Sequence, residues 1–325
     1  MKMAILGAGN IASIMASTIV QMEDIEPYAV AARDKTRAEQ FAKTYGFAKA
    51  YGSYEELVND PDVQLVYIAT PHSHHAQHAA LCLQHNKPVL CEKAFTATAQ
   101  QAKSLVALSK QHNVFLTEAI WTRYMPMAKT LKDLVDSGII GTPNLLTAGL
   151  GYPVQHNQRM RQPELAGGAL LDLGVYPITF SSIIFGNQVK SISSSAVLFE
   201  TGVDAVNSIA IDYGNGRLAS LTSNMCTLLD RTGKIYGDGG WIEVDNINNF
   251  EEARVYTLDG RTPTLAKTIR RPQQISGYEY EVQACVNALR EGRIECEEMP
   301  HAESVRMMEL MDSLRHSWGV RYPFE

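Results

Sequence analysis

Moving a proton at a carbon-bound oxygen needs a group that gives and takes it near neutrality, beside one that steadies the charge. Two stretches offer such groups. In PVLCEKAF, residues 88–95, a strand-like apolar run (Val89, Leu90, Cys91) ends in Glu92 and Lys93 before returning to Ala94 and Phe95. Lysine and glutamate mostly sit exposed, so a solvated loop is the plain alternative. At the edge of a sheet, Lys93 could instead donate to developing alkoxide charge or lower its pKa by burial. Glu92 would orient it or contact a ribose. In AGGALLDLGVYP, residues 166–177, Asp172 and Tyr176 stand four positions apart, on one face of a helix. A core tyrosine beside an incidental helix charge is the competing reading. The Gly167-Gly168 pair marks a close approach of backbone or ligand.

Free tyrosine titrates near pH ~10, so a phenolate acting near neutrality needs a neighbouring cation. Lys93 is the candidate, and Lys93 and Tyr176 are expected to converge across an interdomain cleft. Tyr176 would be proton donor and acceptor. Asp172 would pair with Lys93 or bind a substrate hydroxyl.

A third stretch, AILGAGNIA, reads as strand, turn and helix start. Gly7 permits the tight turn and Gly9 lets backbone approach a pyrophosphate. Asn10 and Ile11 open the helix. Ala12 stands for the third glycine, where helix packs on strand. Phosphates would face the free N–H groups of the helix N-terminus. The second strand ends AARD, with Ala32 where an acid would bind the NAD ribose, and Arg33 next. A guanidinium suits a 2′-phosphate, with Arg37 helping from the following helix. NADP is therefore the expected cofactor, with NAD possible. Asp34 reads as a helix N-cap, with a ribose contact left open.

The stretch TPHSHHAQH follows the fourth strand. His74 and His78 have the i, i+4 spacing of metal ligands, but the glutamate of HExxH is missing, so no metal is expected. Thr70 and Pro71 end that strand where open α/β sheets bind ligands. His72 and His75 would face the cofactor; His74 and His78 read as surface residues.

These residues need elements to position them. Strand and helix alternate from residue 2 to about 120, the mark of βαβ units and a parallel sheet. After Trp121 come helices. From 188 to 270 short strands broken by Gly, Asn and Asp read as an antiparallel or mixed sheet, and two helices finish the chain. The expected division is an α/β doubly wound domain, 1–121, and an α+β substrate and dimerisation domain, 122–325. Trp121, Arg123 and Tyr124, just past the sixth strand, would line or border the substrate pocket. The net charge of -6 and the lack of a Lys/Arg block argue against nucleic acid. The most apolar long stretch carries Asp172 and Pro177, so no membrane span is expected. Five scattered cysteines without CxxC spacing read as reduced thiols, hence a cytoplasmic location.

GAGNIA, ATPHSHH, CEKAF, EAIWTRYMP and GGALLDLGVYP occur in that order along the chain. With these motifs the sequence resembles the glucose–fructose oxidoreductase, inositol dehydrogenase and MocA family over essentially its whole length. The last two, with ETGVDAVNSIAIDY, look closest to the branch of dimeric dihydrodiol dehydrogenase and NADP-dependent xylose dehydrogenase. The resemblance implies a Rossmann domain and a second domain whose open, mostly antiparallel sheet forms a homodimer contact. It implies hydride transfer between NAD(P) and a hydroxyl or carbonyl carbon of a sugar, polyol or cyclic diol. The family lysine falls on Lys93, its helix acid on Asp172, and its usual histidine on Tyr176. Ala94 replaces the proline that normally follows the lysine, and a Lys-Ala bond hardly adopts the cis form open to X-Pro. The competing function is a non-catalytic NAD(P)-binding regulatory protein on the same scaffold. A metal-dependent hydrolase would rest on the histidines alone.

Overall fold

The computed structural model describes residues 1–325. The first part runs β1 (Lys2–Leu6), α1 (Asn10–Ile19), β2 (Glu26–Ala31), α2 (Lys35–Tyr45), β3 (Lys49–Tyr51), α3 (Tyr54–Val58), β4 (Leu65–Ile68), α4 (His72–Gln84), β5 (Val89–Glu92), α5 (Ala99–His112) and β6 (Leu116–Ala119). The six strands are parallel, in the order β3-β2-β1-β4-β5-β6. Strand succession reverses between β1 and β4, the switch point of a doubly wound sheet. Helices cover both faces of such a sheet, so its strands are enclosed on both sides: every residue of β4, β5 and β6 is buried, including Glu92 of β5 and Thr117 and Glu118 of β6. Local chemistry sets the helix ends. Asp34 caps α2 by accepting from the Thr36 and Arg37 amides, and Gly46 stops it in the left-handed region at φ 75°. Ser53 accepts from Glu56 N at 3.1 Å, but Glu56 reaches back to Gly52 N at 3.3 Å, one residue short of the reciprocal capping box that the spacing predicts.

The next part runs α6 (Pro126–Asp136), β7 (Pro143–Gly151), α7 (Gln158–Arg161), a π-helical turn (Leu170–Gly174), α8 (Val175–Phe185) and seven strands, β8 (Ser191–Leu198), β9 (Asp204–Gly214), β10 (Arg217–Asn224), β11 (Gly233–Gly237), β12 (Gly240–Asp245), β13 (Glu252–Asp259) and β14 (Thr262–Arg270). They form an eight-stranded mixed sheet, β14-β13-β12-β11-β7-β10-β9-β8, antiparallel except where β7 meets β10. Leu146, Ile211, Ala219, Ile235, Ile242 and Val255 lie in register on the inner face, all fully buried. Phe180 of α8 packs there against Phe250, ring centres 6.1 Å apart. The outer face is less covered. It carries Ser208, Ser220, Thr222 and Thr147, and Trp241 stacked on Tyr256 at 4.8 Å. Most of the apolar window within Pro163–Phe185 that has the length of a membrane span, 94%, is buried in the protein.

Two helices close the chain, α9 (Glu279–Arg290) and α10 (His301–Ser317). The division into compact units differs from the expected cut at 121. One unit is Met1–Tyr124 with Gln274–Asp312; the other is Met125–Gln273 with Ser313–Glu325. The reason is that β6 is the last strand of its sheet and has an open edge, which residues 274–312 complete. Leu116 N donates to Ile294 O at 3.0 Å, His301 Nε2 meets Leu116 O at 2.8 Å, and Thr117 Oγ1 donates to Met299 O at 3.3 Å.

Candidate active site

The glycine turn lies at the C-terminal edge of the parallel sheet. Gly7 has φ 108°, donates its amide to Ala31 O at 2.9 Å, and leaves a Cβ only 2.8 Å from Ala69 O. No other residue fits. Gly9 is the N-cap of α1, has an ordinary extended conformation, and faces open space: nothing lies within 4 Å of where its Cβ would be. No side chain caps α1, so its first N–H groups point into that space. Asn10 is exposed, Ile11 half-buried, and Ala12 fully buried against the sheet. A cradle open to backbone N–H groups, without an acid in the first turn, fits the pyrophosphate of a dinucleotide. Arg37 spans the turn from α2, its Nε and Nη2 donating to Ala8 O at 3.1 and 2.6 Å, so two of its donors hold the cradle itself. Arg33 is exposed, and its charge reaches Tyr54, His74 and His78. Tyr54 escaped the sequence reading.

The histidines differ from expectation. His75 offers no surface to a cofactor. It is fully buried, Nδ1 lying 2.8 Å from Ala94 O and Nε2 2.7 Å from Thr70 O. Burial brings its pKa down to about 4, so it is neutral and donates to one of these carbonyls. The ring therefore bridges the turn after β4 and the turn after β5. His78 is not a surface residue either: it is buried, with Nδ1 at 3.0 Å from Thr70 Oγ1 and its ring stacked on His74 at 5.7 Å. Pro71 is the N-cap of α4, and the buried His72 follows it, edge-on to His75.

β5 ends on Glu92, which is buried. Tyr67 O–H donates to Glu92 Oε1, and Glu92 Oε2 accepts from Lys93 N at 3.1 Å. The half-buried Lys93 thus follows a carboxylate that holds its backbone. The next residues are pinned by His75 on Ala94 O and by Glu118 of β6, whose Oε1 accepts from Phe95 N at 3.2 Å. Burial pushes the Glu118 carboxyl up to about 7. The Lys93–Ala94 peptide is cis, contrary to the expectation from Ala94, in a turn held at both ends by these contacts.

In the other unit, Asp172 lies in the π-helical turn with its carboxylate gripped by Arg159 of α7, Nη1 to Oδ1 at 3.2 Å and Nη2 to Oδ2 at 3.3 Å. π turns inside helices recur at functional sites. Tyr176, 7% exposed, follows in the first turn of α8. The stretch is anchored at its start by Asp204, which accepts from Leu170 N and Asn207 Nδ2, both at 2.8 Å. Gly168 sits at φ 118° beside it, and Tyr322 O–H donates to Gly167 O at 2.9 Å. Arg159 and Asp204 were not singled out from sequence, because only the fold brings them to this helix.

The predicted pocket residues follow directly on β6. Trp121 stacks flat on Tyr278, 4.4 Å between centres and 12° between planes. Arg123 donates to Glu298 O and Glu303 Oε1, both at 2.9 Å. Tyr124 is buried to the same extent as Trp121, and its O–H donates to Glu118 O at 2.7 Å.

Comparison with known proteins agrees with this fold. Residues 1–120 match the oxidoreductase family model with an NAD-binding Rossmann fold, and residues 128–243 match the GFO/IDH/MocA C-terminal domain. The trans-1,2-dihydrobenzene-1,2-diol dehydrogenase of Mus musculus is 35% identical over 99% of this chain and 98% of its own. The enzyme of that name from Homo sapiens is 34% identical over 91% and 89%. Among solved structures, a 3-ketoreductase from Actinomadura kijaniata with TDP-benzene and NADP superposes with a TM-score of 0.83 at 24% identity, covering 97% and 96% of the two chains. A levoglucosan dehydrogenase complexed with NADH gives 0.86 at 18% identity, covering 99% of both. The doubly wound sheet with its open glycine turn, the mixed sheet after it, and relatives of this extent place the chain in the Gfo/Idh/MocA oxidoreductase family.

Proposed function

We propose that this NAD(P)-dependent oxidoreductase uses NADP in preference to NAD, and that Lys93 and Tyr176 handle the proton of its reaction on a sugar, polyol or cyclic diol. The observation that carries the reading is the Lys93 turn, pinned at the same sheet edge as the open glycine cradle. A bound nicotinamide supplies the hydride acceptor or donor. The amides of the α1 N-terminus would hold the pyrophosphate, and the exposed Arg33 fork the 2′-phosphate. Thr70, Pro71 and His72 shape the wall of that edge. Lys93 would donate to the substrate oxygen, and Tyr176 would give or take its proton. Asp172, clamped by Arg159, is suited to receive a substrate hydroxyl rather than to act as base. Trp121, flat on Tyr278, would border an apolar ring.

The dihydrodiol relatives at about a third identity support a cyclic diol. A sugar stands beside it, since the fold is shared with a levoglucosan dehydrogenase. The outer face of the mixed sheet, with small polar side chains and the Trp241–Tyr256 stack, supports a homodimer through that face. Five free cysteines, four of them buried, suit the cytoplasm.

The test follows nicotinamide absorbance over a panel of aldoses, deoxyosuloses and trans-dihydrodiols with both cofactors. Turnover with at least one, faster with NADP, is expected. Tight dinucleotide binding without turnover on any of them would favour a regulatory protein.

A further inference from the structure

Glu281 stands in the first turn of α9 with no exposed surface, and neither carboxyl oxygen has a hydrogen-bond partner. The charges that act on it are those of Glu92 on β5 and Cys296 ahead of α10, both negative when ionised. It bears in turn on Tyr67 of β4, on Tyr124 after β6, and on Cys285 of its own helix; Tyr278 also acts on Tyr67. Glu92 is placed otherwise. Its Oε1 accepts from Tyr67 O–H and its Oε2 from the Lys93 amide at 3.1 Å. An anion at Glu92 has two donors; an anion at Glu281 has none.

A buried carboxylate without donor or cation is far more costly than the neutral acid. Two carboxyls in one dry site also resist carrying two charges. The pair therefore keeps one proton, and the donors fix which oxygen holds it. Burial and Glu92 both hold Glu281 well above the usual carboxylate range.

We propose that Glu281 is a positioning residue for Lys93, acting through Glu92: it carries the single proton of a Glu92–Glu281 carboxyl pair, leaving Glu92 the anion that fixes the Lys93 turn. Ionised Glu281 would drive a proton onto Glu92, take an acceptor from Tyr67 or the Lys93 amide, and loosen the turn. The kinetic consequence rests on the reading of Lys93 above; the site of the proton does not.

Two measurements test this. Infrared spectra of the full chain without cofactor are taken in buffer more alkaline than the about 7 of Glu118 and the about 6 of Asp204. They should show the carbonyl band of a protonated carboxylic acid. Glu281→Gln should remove the band, and in Glu92→Gln it should titrate away at lower pH than in wild type. A wild type without the band, or a Glu281→Gln variant that retains it, overturns the proposal. In kinetics, Glu281→Gln should match wild-type kcat within about twofold at neutral pH and keep it at alkaline pH, where the wild type declines. A Glu281→Gln variant that falls with the wild type at alkaline pH, or is as impaired as Glu92→Gln at neutral pH, overturns the positioning role. So does one that fails to fold, since an amide of the same shape replaces a neutral acid.

Discussion

Glu118→Gln should stabilise the protein in alkali and leave it unchanged in acid. Glu118 lies on β6 with 1% of its surface exposed, accepts from Phe95 N at 3.2 Å and is also steadied by Ser304. Burial raises its pKa from an ordinary 4.5 to about 7. Between those values the native chain holds a proton that the unfolded chain has released. The carboxyl therefore lowers stability as pH rises through that window, and the loss is complete above it. At about 1.4 kcal/mol per pKa unit, the loss reaches about 3 kcal/mol. The glutamine amide oxygen still accepts from Phe95 N and carries no charge. Urea unfolding of both proteins from pH 4 to 9 reads the difference directly, and groups common to both, such as Asp204 at about 6 and His75 at about 4, cancel. The variant should match wild type below pH ~4.5 and exceed it by about 3 kcal/mol above pH ~7. A gap that is the same at every pH would refute the reasoning.

Gly9→Ala meets no neighbour, so stability should stay within ~0.5 kcal/mol, while dinucleotide affinity measured by calorimetry should fall by at least ~1.4 kcal/mol, about tenfold. Arg33→Ala should weaken NADP by roughly 1.5–3 kcal/mol and NAD far less; equal losses for both would make Arg33 a structural residue. Tyr176→Phe should lower kcat by roughly 10²–10⁴ with NADP binding intact. Near-normal turnover there, with an inactive Lys93→Met, would leave the proton to the lysine alone. Sedimentation should give a dimer at micromolar concentration and a monomer for Trp241→Lys; a wild-type monomer removes the dimer.

Local chemistry was legible where a single residue decides it. Gly7 must be glycine because of its φ and its closeness to Ala69 O. The Glu92–Lys93 pair ends a strand, and the shared strand direction puts that end on the same sheet edge as the glycine turn, with β4 between them. Asp34 caps α2, as its position before Lys35 predicts. His75 and His78 lie deeper than the sequence reading places them, because their types were weighed before their spacing. His75, His78, Ala79 and Cys82 follow i, i+3, i+4, i+7, the period of a buried stripe, and all four are buried. No such signal marks Arg159, Asp204 or Glu281. Asp172 lies 13 positions from Arg159, Leu170 34 positions from Asp204, and Glu92 on a different element from Glu281, so only tertiary packing joins them.

The return of residues 274–312 has a consequence for synthesis. The last parallel strand receives its edge partners, and Glu92 its buried companion, from chain made after the 125–273 stretch. On the ribosome those roughly 150 residues take on the order of 10–30 s to appear. Through that interval the nucleotide-binding unit exists without its closing helix. A gene cut at residue 124 therefore encodes an unfinished unit rather than a transferable module. Grafting this cofactor site onto another protein requires both segments, 1–124 and 274–312, with the foreign sequence inserted between them.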